Sequence, residues 1–114
     1  MITVTIYRQP DGFISRFEAY GHAGQAEAGQ DIICAGVSAI AQTVIGSLQE
    51  LASLEPDYGL DDGDIYCDIG DPVKLSAEQR VKASALMGSM DIGCQQISSS
   101  YGREYVTVKN KSYY

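Results

Sequence analysis

Apolar and polar residues alternate from the start of the chain. Ile2, Val4 and Ile6 interleave with Thr3, Thr5 and Tyr7, the period of a strand with one buried face. A turn signal, Gln9-Pro10-Asp11-Gly12, separates this run from a second alternation between Phe13 and Tyr20, so the two read as a β-hairpin. The period then changes. Ile33, Val37, Ile40, Ala41, Val44, Ile45, Leu48, Leu51 and Leu54 fall on one stripe of a helix, which the breakers Pro56, Asp57 and Gly59 bring to an end. Asp31, a good N-cap residue type just ahead of the stripe, predicts the helix start. Ile65, Cys67 and Ile69 mark a third strand, closed by Gly70-Asp71-Pro72. Ser76 and Gln79 have the spacing of a capping box and open a second helix, whose inward stripe is Ala83, Leu86, Met90, Cys94, Ile97 and Tyr101. Gly88 and Gly93 either weaken that helix or admit a close neighbour. A last strand runs from Glu104 to Lys109, and Asn110 to Tyr114 reads as a mobile tail.

The order strand, strand, helix, strand, helix, strand predicts a two-layer α+β domain. It would have a four-stranded sheet with two long helices on one face. The chain has 114 residues and shows neither repeat nor linker, so residues 1–114 read as a single domain. The second sheet face would carry Tyr7, Tyr20, Tyr66 and Tyr105 among polar residues. That pattern fits a subunit or peptide interface, and equally a half-buried face.

Composition narrows the partners. A formal net charge of −7 argues against nucleic acid or an anionic membrane as direct partner and suits a cationic one. Asp57, Asp61, Asp62 and Asp64 form the densest acidic group, either a solvated turn or a docking patch. No apolar stretch approaching a membrane span and no signal-like segment is read from the sequence, so a cytoplasmic location is expected. The three cysteines Cys34, Cys67 and Cys94 form no CxxC pair, which points to reduced thiols. With His22, the single histidine, they would make a four-ligand zinc set, but structural zinc ligands come in closely spaced pairs. No metal or cofactor is expected, and Cys67 and Cys94 read as core residues.

The candidate chemistry lies between Gly21 and Ser38, where glycine-punctuated sequence links His22 to Cys34 at the start of the predicted helix. An imidazole can take a thiol proton, and a cysteine at a helix N-terminus is activated by the dipole and the unpaired N–H groups there. Asp31, as cap, opposes a thiolate by charge. Ser38 lies one turn beyond Cys34, where its hydroxyl could meet sulfur or substrate, or back-bond to the helix. The residues taken singly admit a plainer reading, in which Cys34 is a small buried hydrophobe and His22 an ordinary surface or core residue. The segment from Gly21 to Gly29 has no large apolar side chain, so it buries little on ordering and is expected to order on the substrate.

Gly21-His22-Ala23, then Gly29, Asp31, Cys34-Ala35 and Ser38 together resemble the signature of the ribosomal-processing cysteine protease Prp family. The resemblance implies a cytoplasmic, homodimeric endopeptidase that removes a short N-terminal extension from large-subunit ribosomal protein twenty-seven. By position it makes Cys34 the nucleophile and His22 the general base and acid. Asp31, Ser38 and Ala35 become supporting residues, and Gly21, Ala23, Gly24 and Gly29 a substrate loop. The implied partner is a basic ribosomal precursor, with no direct nucleic acid or membrane. Two other classes use the same features: a redox or metal-binding thiol protein, and a non-catalytic ribosome-associated binding module.

Overall fold

The computed structural model describes residues 1–22 and 28–113, with the backbone alone over 28–31. The strands are β1 (Ile2–Arg8), β2 (Ile14–Gly21), β3 (Asp57–Asp61), β4 (Asp64–Asp68) and β5 (Val106–Ser112). The long helices are α1 (Ala28–Ala52) and α2 (Ala77–Tyr101). They form an α+β domain with a five-stranded sheet in the order β3-β4-β2-β1-β5, in which β5 runs parallel to β1 and the other pairings are antiparallel.

The expected four-stranded sheet is thus one strand short. β3 has only Tyr58 and Leu60 as large apolar residues, set among the aspartates and glycine that read as helix breakers. Asp62-Gly63 closes β3 on β4 as a two-residue turn, with Gly63 at φ +74°, a left-handed conformation that favours glycine. Gly59 is tolerated in the strand because the ring of its cross-strand partner Tyr66 lies where a side chain would be.

The register puts Ile2, Val4 and Ile6 on the same sheet face as Phe17, Ala19, Cys67 and Val106. These residues share one core cluster with Ile33, Val37, Ala41, Val44, Ile45 and Leu48 of α1 and Ala83, Met87, Met90 and Cys94 of α2. Both helix stripes are therefore largely as the periodicity predicts. The exceptions are Leu51 and Tyr101, exposed near the helix C-terminal ends, and Met87 and Ser98, both outside the expected stripe but buried. Gly93 admits the close neighbour, since a β-carbon there would stand 2.9 Å from Ile40 Cδ1. The capping box at Ser76 forms, and the Nε2 of its Gln79 donates to the Ala52 carbonyl at 3.2 Å. One side chain thus ties the start of α2 to the end of α1.

The start of α1 differs from expectation. The helix begins at Ala28, so Asp31 lies within it and is not its N-cap. By length and composition Ile32–Ala52 is also apolar enough to cross a membrane, contrary to the sequence reading. Its isoleucines, valines and leucines set that hydropathy, and of these Ile33, Val37, Val44, Ile45 and Leu48 lie in the core cluster just described while Ile32 and Leu51 are exposed.

The other sheet face carries a polar network. Tyr7 donates to Glu18 at 2.6 Å, Arg16 pairs with Glu18 and Asp68 at 3.0 and 3.3 Å, and the Arg16 guanidinium sits 5.0 Å from the Tyr66 ring centroid. Burial raises the Glu18 carboxyl, but the hydrogen bonds from Tyr7 and Arg16 outweigh it and hold its pKa below the usual value. The same bond to Glu18, acting with burial, raises Tyr7.

Two expectations about this face are corrected. Tyr105 precedes β5 and packs against the core cluster, because the Ile2 N–H bonds its carbonyl and fixes the strand entry. Asn110 to Tyr113 do not form a loose tail: β5 continues to Ser112, the Tyr113 N–H donates to the Arg8 carbonyl, and its hydroxyl reaches Asp68 at 2.6 Å.

Candidate active site

His22 follows the last residue of β2, and its position is set by two close backbone approaches. Gly21 adopts φ +101° with the Met1 carbonyl occupying the place a β-carbon would take, and its N–H donates to the Gly63 carbonyl at 2.9 Å. Gly21 therefore belongs to a strand end and not to a loop. The Met1 amino group donates to the His22 carbonyl. The His22 imidazole lies on Gly63, where a β-carbon would meet Nε2 at 2.6 Å and Cε1 at 3.0 Å. Asp62 Oδ1 stands 3.9 Å from Nδ1, but the Asp62 side chain is 98% exposed, so this is a weak, solvent-screened pairing that needs a protonated ring.

Cys34 enters from α1, half-buried and packed against the core cluster between the buried Ile33 and Val37. As the seventh residue of α1 it lies in the second turn. The expected first-turn position is thereby overturned, and with it the assignment of free helix-start N–H groups and a strong dipole field to the sulfur, since both effects are confined to the first turn.

His22 and Cys34 nevertheless line one cleft of about 290 Å³, together with Ser38, Leu60, Asp61, Asp62 and Gly63. Val37, Ile65, Ile2 and Ala19 form its apolar floor. Ser38 borders the cleft one turn from Cys34, and its Oγ accepts from Gln42 Nε2 at 2.9 Å. Ala35 is exposed and is not among the cleft residues. Gly29 lies in α1 and not in a loop. Ala23 and Gly24, and with them the expected ordering loop, fall at residues 23–27, outside the described residues.

The β3–β4 hairpin is the part of the site that the sequence reading missed. Its signal was the Asp62-Gly63 pair between two short apolar alternations, a hairpin turn that the neighbouring aspartates disguised as a loop. Cys67 and Cys94 are fully buried in the core as expected, and burial pushes each thiol up to about 12. Among the described residues, no group of three or more His, Cys, Asp or Glu is placed to hold a metal ion.

The family model described as Cysteine protease Prp matches residues 1–107. The chain belongs to this family. The ribosomal processing cysteine protease Prp of Bacillus subtilis is 40% identical over 103 residues, covering 89% of this chain and 90% of that relative. A crystal structure of the essential ribosomal processing protease Prp from S. aureus, in complex with a covalently linked product peptide, superposes with a TM-score of 0.80. It is 28% identical and covers 97% of this chain and all of that one. The same S. aureus Prp with a substrate peptide gives a TM-score of 0.79 at 27% identity, over the same shares of the two chains. As a Prp family member this chain is a cysteine protease.

Proposed function

We propose that this protease uses Cys34 as nucleophile and His22 as general base and acid to remove a short N-terminal extension from large-subunit ribosomal protein twenty-seven. The observation that carries the reading is the shared cleft. The single histidine and the one cysteine that is not fully buried both line an opening whose walls come from β1, β2, α1, β3 and β4. His22 takes the thiol proton, and the Cys34 sulfur attacks the scissile carbonyl to give a tetrahedral oxyanion. The protonated imidazole then gives its proton to the departing amine, leaving an acyl thioester on Cys34. Water, deprotonated by His22, hydrolyses that thioester and restores the thiol. The Cys34 N–H lies inside α1, so the oxyanion is held by other donors at the cleft.

The substrate reading rests on family membership and on charge. A chain of net charge −7 with Asp61 and Asp62 at the cleft rim favours a basic precursor, and encounter should be faster at low salt. In the same reading the enzyme is a cytoplasmic homodimer with both helices layered on one sheet face. It works without a cofactor and engages neither nucleic acid nor membrane directly. Incubation with the purified ribosomal precursor tests the substrate: a new, shorter N-terminus found by mass spectrometry is expected, and an intact precursor refutes it.

A further inference from the structure

β3 is an edge strand, and its free side can be derived from hydrogen bonds elsewhere in the sheet. The Gly21 N–H bonds the Gly63 carbonyl at 2.9 Å and the Ile69 N–H bonds the Ser15 carbonyl at 3.0 Å, so residues 63, 65, 67 and 69 direct their backbone groups toward β2. The alternate residues Asp64, Tyr66 and Asp68 therefore face β3, pairing with Asp61, Gly59 and Asp57. By the same alternation Tyr58 and Leu60 turn their N–H and C=O groups outward. Among the described residues no backbone hydrogen bond takes up these groups.

This edge leads into the catalytic cleft. Leu60 lines it beside His22 and Cys34, and Tyr58 and Leu60 are each 44% exposed. Proteins usually blunt a free edge that near an opening by covering it, shortening it or charging it. Here the charge comes from Asp57, Asp61 and Asp62 alone. Such an edge repels a second copy of itself but accepts an extended cationic chain.

We infer that the peptide substrate binds as an added strand on the β3 edge, with the backbone of Leu60 setting the register that brings the scissile bond to Cys34. Backbone bonds to Tyr58 and Leu60 would hold the peptide extended, and alternate peptide side chains would point into the cleft or out to solvent. This inference deepens the proposed function and rests on its substrate reading for the identity of the peptide.

The test is a backbone scan by binding, so that it does not depend on turnover. Peptides covering the extension and first mature residues of the ribosomal precursor, each N-methylated at one amide, are titrated against the full Cys34→Ala chain by fluorescence anisotropy. Strand addition predicts a period-two pattern, with affinity falling about tenfold or more at every second amide and little between. Leu60→Pro should lower the affinity of the unmethylated peptide and raise KM more than it lowers kcat. Because the Leu60 N–H faces outward, its loss leaves the β3–β4 ladder intact. A flat methylation scan, or unchanged affinity in a folded Leu60→Pro chain, overturns strand addition. So does a Leu60→Pro effect confined to the oligomeric state, which would assign the edge to a second copy. Failure of the native chain to cleave the precursor would instead sink the substrate reading alone, since the methylation scan and the Leu60→Pro affinity read binding and not turnover.

Discussion

The His22 imidazole rests on the α-carbon of Gly63, with the position of a β-carbon only 2.6 Å from Nε2. The candidate general base is thus seated on a hairpin turn distant in sequence, and the turn needs glycine both for its positive φ and for the space above it. Gly63→Ala should push the ring from its seat. Cleavage should fall about a hundredfold, as for a small misplacement of a catalytic group, while the backbone strain costs about 1–2 kcal/mol of stability. Kinetics alongside thermal melts check this. Full activity in a folded Gly63→Ala chain would show that the seat does not position the ring.

Thiol reactivity separates the three cysteines. Cys67 and Cys94 are fully buried with thiols raised to about 12, whereas Cys34 borders an open cleft. Brief iodoacetamide treatment of the folded chain followed by peptide mapping should label Cys34 ahead of the other two. Equal labelling of all three would contradict the placement of Cys34.

Asp31 is the fourth residue of α1, so in a stability measurement it should behave as a first-turn residue and not as a cap. Asp31→Ala is expected to leave unfolding free energy within about 0.5 kcal/mol, because the higher helix propensity of alanine offsets the lost attraction to the helix dipole. A loss of about 1 kcal/mol in urea melts would return Asp31 to the helix terminus as a cap.

The sheet-face network makes stability pH-dependent. The folded-state pKa of Glu18 is lowered, so its contribution is fully present above the ordinary glutamate value and is lost as pH falls through the folded pKa. Tyr7 is raised, so its share is present below the ordinary tyrosine value and is lost as pH rises through its higher folded pKa. Glu18→Gln should flatten the acid limb of stability as pH falls below about pH 5. An acid limb unchanged in Glu18→Gln would remove this pair from the account.

Much of the fold could be read from periodicity because burial is what periodicity reports. Ile2, Val4 and Ile6, and the α1 stripe from Ile33 to Leu48, are core residues, with Ile40 half-buried beside them. β3 was illegible for the same reason: as an exposed edge it buries no continuous face, and Gly59 with Asp57 and Asp61 mimics a loop. The start of α1 misled for a different reason. Asp31 is a strong cap type, but residues 28–30 form helix ahead of it without adding to the apolar stripe. Tyr113 was misplaced because terminal residues read as loose unless a distant partner ties them down, and Asp68 does so here.

The candidate site divides in the same way. His22 and Cys34 stood out as the lone histidine and a cysteine on an amphipathic helix, and the structure puts them at one cleft. Leu60, Asp61, Asp62 and Gly63 carry no catalytic residue type in a recognisable spacing. Only the long-range pairing of β4 with β2 brings them there.

The central claim is that Cys34 and His22 act together on a peptide bond. Its most direct test is the single-turnover rate of cleavage of a peptide spanning the precursor junction, measured for the native chain, Cys34→Ala and His22→Ala, with melts confirming that all three fold. The account predicts no cleavage by Cys34→Ala and a rate lower by a factor of about 100 or more for His22→Ala. Cleavage by Cys34→Ala at the native rate would contradict it.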